Sequence, residues 1–323
     1  AAVAATRRGH GDERSHVNFD LTEDQVALRD GIRALCAGRF PRERVRAGFD
    51  RAAFDALAET GVFSLRADGF SAADASLAFQ ELGRALVPGP LVWSHLADRL
   101  VGGVVTGVEH SPSVGTVMVE HLDAADTVLV HEPARVLRLD PGALDDAEPI
   151  AHPLDPLTPV HRIDVLPEGE VIGGSADAAM LRTYGAVLTA AYEVGMAGAC
   201  TEAATAYALE RRQFDRPVGS FQVVKHILAD MAVRAEVARA AVDAAAVALD
   251  EPDVADAGRA IAGARILAAE AALANAKSSM QVHGGMGFTW EVDVHLYLKR
   301  AWVLNTSFGT VAEHADALTA SLT

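Results

Sequence analysis

Apolar residues recur along most of this chain at helical spacing, interrupted by one stretch of short β-branched runs. Asn18-Phe-Asp-Leu-Thr-Glu-Asp-Gln25 opens the first predicted helix. Thr22 is its N-cap, and Gln25 three residues on completes a capping box. Leu28, Ile32 and Leu35 then supply an apolar stripe. A second helix is expected from about Arg51 to Thr60, stopping at Gly61. A third runs from about Ser71 to Leu86, ahead of Pro88-Gly-Pro90. A fourth covers about Leu91 to Leu100 and ends at Gly102-Gly103.

Between Gly103 and Gly174 the period changes. Val104-Val-Thr, Thr116-Val-Met-Val, Thr127-Val-Leu-Val, Arg135-Val-Leu-Arg-Leu, Val160 to Val165 and Glu170-Val-Ile are separated by Pro, Gly and Asp. Short strands at even spacing with turn residues predict a small antiparallel sheet or barrel. From about Ala176 helical periodicity returns. One helix reaches about Arg212, with Leu188, Tyr192, Gly195, Met196 and Ala199 facing the core. The next starts after Gly219 with Ser220 as N-cap, and Val224, Ile227, Leu228, Met231 and Ala235 keep its period. A third runs from near Asp253 to His283. Two shorter ones cover about Val292–Leu304 and Gly309–Ser321. Such helices, rich in Ala and Gly, suit a bundle with close approaches, including approaches between subunits.

Composition narrows the function. The 323 residues are enough for two domains and a large core. No uncharged apolar run approaches the ~20 residues of a membrane span. A net charge of −16 argues against a nucleic-acid partner, which needs clustered Lys and Arg. Cys36 and Cys200 lie far apart in apolar patterns and fit buried free thiols in a reducing cytoplasm. Residues 1–17 read as a disordered leader. No Cys/His metal spacing and no P-loop is present.

Two strings carry candidate chemistry. Gln281-Val-His-Gly-Gly-Met-Gly-Phe288 breaks a long helix with three glycines. Alone it fits a plain helix–turn–helix, or a turn that brings backbone N–H groups to a ligand. Glu210-Arg-Arg-Gln-Phe-Asp-Arg-Pro-Val-Gly-Ser-Phe-Gln222 places an Arg pair at a helix end, where cations favour the dipole. Read together, the two strings resemble the C-terminal domain of the acyl-CoA dehydrogenase family of flavoenzymes. Phe19-x-Leu-Thr-Glu-Asp-Gln25 and Glu81-Leu-Gly-Arg-Ala-Leu-Val-Pro-Gly-Pro90 resemble its N-terminal domain.

The resemblance implies a mainly α, acyl-CoA dehydrogenase-like fold: an N-terminal helical domain over 18–102, a reduced middle β domain over 103–175, and a C-terminal four-helix bundle over 176–323. The β domain looks abbreviated, because the family's flavin-holding Thr-Glu-Pro-x-x-Gly-Ser-like loop has no counterpart here. By the same resemblance, Arg211 forks onto the pyrophosphate of FAD, as a planar guanidinium suits two phosphate oxygens. Phe214 packs on the cofactor, Gln222 reaches its adenine side, and Gln281, Gly284 and Gly285 cover the adenine–pyrophosphate half. Asp215 stands where the family usually has Gly. In the family these contacts go to a cofactor lodged mainly on the neighbouring subunit.

Family members remove an acyl-CoA α proton with a Glu while the β hydrogen leaves as hydride. That step needs a positioned carboxylate. The usual base position is Phe308 here, in Ser307-Phe-Gly-Thr310. The alternative position, ten residues before Gly195, is Gly185. The family's usual Arg-Asp is Lys299-Arg300. Other acids are poor replacements. Glu193 lies about two turns from position 185, roughly 12 Å along the axis. Glu291 and Asp293 follow the glycine turn as candidate helix caps. His283 reads better as a satisfied helix-end histidine than as a base. His226 packs or faces solvent, and His152 and Asp155 lie in a Pro-rich loop without partner spacing.

The implied function is a non-catalytic subunit, without a catalytic residue of its own, that completes a shared FAD site. Its implied partner is a longer catalytic acyl-CoA dehydrogenase chain in an α2β2 assembly that acts on an acyl-CoA, by analogy a steroid side-chain CoA ester. Electron transfer flavoprotein is the implied acceptor. Two alternatives stay open: a self-sufficient FAD-dependent dehydrogenase with an unrecognised base, and a flavin-free helical scaffold subunit.

Overall fold

The computed structural model describes residues 19–97, 100–111, 115–253 and 255–322. The expected leader over 1–17 lies outside these residues. Five helices come first: α1 (Glu23–Arg39), α2 (Arg42–Arg46), α3 (Arg51–Ala58), α4 (Ala72–Arg84) and α5 (Leu91–Ala97). The Thr22/Gln25 capping box forms as predicted. Helix α2 was not expected; Pro41 ends α1 and starts this single turn.

The strands are β1 (Val105–Glu109), β2 (Val117–Glu120), β3 (Thr127–Glu132), β4 (Arg135–Leu139), β5 (Glu148–Pro149), β6 (Val160–Ile163) and β7 (Glu170–Gly173). They form two sheets, ordered β1-β3-β4-β7 and β2-β6-β5. The expectation of an antiparallel sheet is corrected at one pair: β1 and β3 run parallel. The chain crosses to the second sheet as β2 before returning, so β3 re-enters beside β1 in the same direction. Val108, Val119, Val128, Val130, Leu137 and Ile163 form a core between the sheets.

The helical half holds α6 (Ser175–Glu210), a short hairpin β8 (Arg212–Gln213) with β9 (Arg216–Pro217), then α7 (Gln222–Asp250), α8 (Ala257–His283), α9 (Val294–Leu304) and α10 (Val311–Ala320). Ser220 does not cap α7. It lies in a 3-10 turn, Val218–Ser220, and Phe221 takes the N-cap without a side-chain hydrogen bond. Ala199 is half-buried rather than core; Leu188, Tyr192, Gly195 and Met196 are buried.

Helix α4 crosses α6 at two glycines. A Cβ on Gly83 would lie 1.9 Å from the Tyr192 carbonyl oxygen, and one on Gly195 the same distance from that of Gln80. Any larger residue at either position drives these helices apart. One continuous core therefore runs from α1 through α4 into α6, α7 and α8. Cys36 and Cys200 are buried free thiols, and burial pushes the Cys36 thiol up to about 12. No helix is long and apolar enough, among the described residues, to cross a membrane.

Candidate functional site

The residues singled out by their motifs gather at one end of the bundle. The Tyr207 ring stacks on His283, with centroids 4.3 Å apart, so the last turn of α6 lies beside the last turn of α8. The His283 ring Nδ1 lies 2.7 Å from the Ser279 carbonyl oxygen, which identifies it as a satisfied helix-end histidine. Arg211 is the C-cap of α6. Its guanidinium is exposed and has no hydrogen bond or ion pair among the described residues. Gln222 opens α7, Gln281 lies in the last turn of α8, and both side chains are exposed.

Between α6 and α7 the hairpin turns on Phe214 and Asp215, with φ of 51° and 63°. Two positive φ values in a two-residue loop are the type I′ pattern. That explains why a Gly suits position 215, and why Asp, which tolerates this region, replaces it. The Arg212 Nη2 atom donates to the Asp215 carbonyl at 2.6 Å and pins the turn. Phe214 is thereby held out at the tip, 85% exposed. Arg216 covers the Phe221 ring at 4.1 Å, so the hairpin carries two cations, Arg212 and Arg216, and Arg211 precedes it at the end of α6.

The three glycines after α8 divide their work. Gly284 has φ +61°, and added Cβ atoms at Gly284 and Gly285 would meet nothing within 4 Å. A Cβ on Gly287 would lie 2.7 Å from the Met280 carbonyl oxygen, so this glycine lets the turn fold back on α8. The exposed pair leaves the backbone open to close approach. Unpaired Arg211, free Gln222 and Gln281, and this open backbone fit the anionic, adenine-bearing half of a dinucleotide.

The interior is different. Phe308 is buried at 1% exposure and points at α6. A Cβ on Gly185 would lie 2.2 Å from its ring. On the other side Phe308 packs on Trp93 with centroids 4.7 Å apart, and a Cβ on Gly107 would lie 2.5 Å from the Trp93 ring. Two glycines thus make room for two aromatic rings. The cavity left beside them, lined by Trp93, Thr189, Tyr192, Arg300 and Phe308 among others, is about 50 Å³. Pockets for ligands of cofactor size are ~300–1,000 Å³. The inner cavity alone is smaller than that, and an outer chamber of about 270 Å³ adjoins it at Trp93, Glu120, Ser307 and Phe308.

Buried ion pairs hold this interior. Arg300 donates from Nε to Asp155 at 2.5 Å and from Nη1 to the Tyr192 hydroxyl at 3.0 Å, and Tyr192 donates to the Val87 carbonyl. Burial pushes the Asp155 carboxyl up, but Arg300 and the Leu157 and Thr158 donors outweigh it and hold it low. The reading of Asp155 as partnerless is therefore corrected: its partner lies 145 residues away. Arg265, wholly buried, pairs with Glu193 and donates to the carbonyls of Leu304 and Ser307. Burial pushes Glu193 up to about 7, and Arg265 only partly offsets it. Asp293 stands at the N-cap of α9 but its side chain makes no capping hydrogen bond; its carboxylate pairs with Arg42 and Arg46 instead. Glu120, on β2, faces the cavity and makes no side-chain hydrogen bond or ion pair among the described residues.

Known proteins resemble this chain in sequence and in fold. The chain is 33% identical over 304 residues to acyl-CoA dehydrogenase IpdE2 of Mycobacterium tuberculosis, covering 86% of this chain and 91% of that protein. The chain belongs to the acyl-CoA dehydrogenase family. Residues 174–322 match the family's C-terminal domain model. A chain of the ChsE4–ChsE5 complex from M. tuberculosis superposes with a TM-score of 0.79 at 22% identity, over 95% of this chain and 99% of that one. The Tcur3481–Tcur3483 steroid ACAD gives 0.78 at 21%, over 93% and 98%. At these identities the superpositions establish the fold. The acyl-CoA dehydrogenase resemblance drawn from Arg211 to Gln222 and Gln281 to Phe288 is thus borne out for family and architecture. Sequence reasoning missed Trp93, Glu120 and the Arg300–Asp155 pair.

Proposed function

We propose that this chain is the non-catalytic subunit of a hetero-oligomeric acyl-CoA dehydrogenase, completing an FAD site held mainly by a longer partner. One observation carries the reading: both family positions for the catalytic base meet in space, and a buried phenyl ring on a glycine fills them. Neither can accept a proton. The exposed end supports the other half of the proposal. Arg211 forks onto the pyrophosphate, Phe214 packs on the nucleotide, and Gln222 hydrogen-bonds its adenine side. Gln281, Gly284 and Gly285 cover the same half. When bound, the flavin supplies a hydride acceptor. The longer subunit supplies the Glu and the acyl-CoA pocket, and electron transfer flavoprotein takes the electrons.

The ChsE4–ChsE5 protein is a complex, and the Tcur3481–Tcur3483 protein is a steroid ACAD. These likenesses support a hetero-oligomer that acts on a steroid, which we read as an α2β2 assembly with a steroid side-chain CoA ester as substrate. The test is co-purification with a longer homologous chain. Arg211→Ala should lower the flavin retained by the mixed complex and leave folding intact by circular dichroism. Unchanged flavin content removes the assigned role.

A second reading has one observation in its favour. Glu120 presents an unpaired carboxylate beside Phe308, and burial pushes that carboxyl up while Arg300 opposes. Raised carboxylates in clefts are base candidates. If Glu120 were a base, the chain alone would reduce flavin with an acyl-CoA, and Glu120→Gln would abolish it.

A further inference from the structure

The outer face of α8 has no covering element. Its inner side, at Ala264, Ala268, Ala271 and Asn275, is buried in the bundle. The opposite stripe, Ile266, Glu270, Leu273, Ala274, Lys277 and Gln281, keeps helical spacing and is half-buried or exposed throughout. It is ~22 Å long at 1.5 Å per residue. Arg234 of α7 donates to Asn275 at 2.9 Å and sets α7 alongside at this level. Next to it, Val233 and Val237 are 61% and 49% exposed and add apolar surface on the α7 side.

Two charges interrupt the stripe. Glu270 and Lys277 are exposed, and neither makes a hydrogen bond or ion pair among the described residues. They stand two turns apart, ~10 Å along the axis, beyond the spacing at which side chains pair within one helix. Leu273 and Ala274 fill the interval between them.

This order is self-complementary. When two copies of α8 lie antiparallel about a two-fold axis at Leu273–Ala274, Glu270 of each copy meets Lys277 of the other, because both stand equally far from the centre. The same register sets Ile266 against Gln281. A parallel, in-register pairing brings like charges together, and a register one turn away leaves both charges unmatched. The net charge of −16 opposes self-association, so a specific contact has to join opposite charges, as this register does twice.

We propose that this face of α8 and α7 docks a second copy of the chain, antiparallel about a two-fold axis at Leu273–Ala274, with Glu270 of each copy paired to Lys277 of the other. The two Gln281 residues then lie at opposite ends of the contact, ~22 Å apart along the helix axes, so the two dinucleotide ends stay separate. The inference does not rest on the subunit reading and is tested on the chain alone.

The experiment is sedimentation velocity of the purified full chain over a range of concentrations. The wild type should reach a dimer. Glu270→Lys and Lys277→Glu each turn two attractive pairs into two repulsive ones, and each should weaken the dimer at least about tenfold. Both positions are exposed, and circular dichroism checks that the variants stay folded. An equimolar mixture of the two variants restores both pairs across the two-fold axis, and it should dimerise as tightly as the wild type. A chain that stays monomeric, as it would if this face took a longer homologous subunit instead, overturns the proposal. So does a dimer indifferent to both substitutions, or one that the mixture fails to restore.

Discussion

The Phe308 ring lies in the space that a side chain at position 185 would occupy. A Cβ built on Gly185 falls 2.2 Å from Phe308 Cδ1 and 2.3 Å from Cε1. Phe308 itself adopts φ +52°, a conformation costly for a bulky residue, and His314 approaches its carbonyl at 3.0 Å to hold it. The two residues should therefore be energetically coupled. Gly185→Ala alone overpacks the site and should cost about 1–3 kcal/mol. Phe308→Ala alone opens a cavity and should cost about 3–5 kcal/mol. The double variant should be more stable than the sum by at least ~1 kcal/mol. Urea unfolding of the four proteins measures this, and simple additivity would show that the ring and the glycine do not share one space.

The Arg300–Asp155 pair joins the Pro-rich loop of the β region to α9 and α6. Arg300→Met strands Asp155 at 0% exposure, and it should cost about 3–5 kcal/mol. Arg300→Met with Asp155→Leu removes both charges and should recover most of that loss. Thermal unfolding compares them. A double variant as unstable as the single one would mean the pair does more than neutralise itself.

His121 gives the protein an acid-sensitive point. It is 3% exposed, and burial, with Arg300 close by, lowers it from 6.5 to about 3. The unfolded chain therefore binds the proton first. Stability from this group is complete above pH 6.5 and falls as pH drops toward 3. Between pH 6.5 and 5 the loss is on the order of 2 kcal/mol, at 1.36 kcal/mol per pH unit. His121 has φ +53°, which Asn also tolerates. His121→Asn should thus flatten the stability profile over this range. A profile parallel to the wild type would rule the histidine out.

Helices were legible because their apolar period is local. The Thr22/Gln25 box and the break at Gly284 fall where residue chemistry put them, while α3 ends at Ala58, two residues short of the expected Thr60. The base-position argument was legible too, since it needed only which residue stands where. Pairing across the chain was not. The parallel β1–β3 ladder depends on where β2 goes, which alternation along one strand does not encode. Arg300 and Asp155 are 145 residues apart, yet one signal was available. Arg300 lies four residues from both Leu296 and Leu304, on an apolar stripe, as Arg265 lies four from Ile261. A charge on such a stripe demands a buried partner. Ser220 failed as a cap because the chain makes a 3-10 turn there first, and turn geometry overrode the residue preference.

The most direct measurement is anaerobic absorbance of the purified chain with added FAD, titrated with a steroid side-chain CoA ester, alone and after mixing with a longer homologous subunit. This account predicts no bleaching of the flavin band with the chain alone, and bleaching in the mixture that fails when the partner's catalytic Glu is replaced. Bleaching by the chain alone, lost in Glu120→Gln, would contradict it.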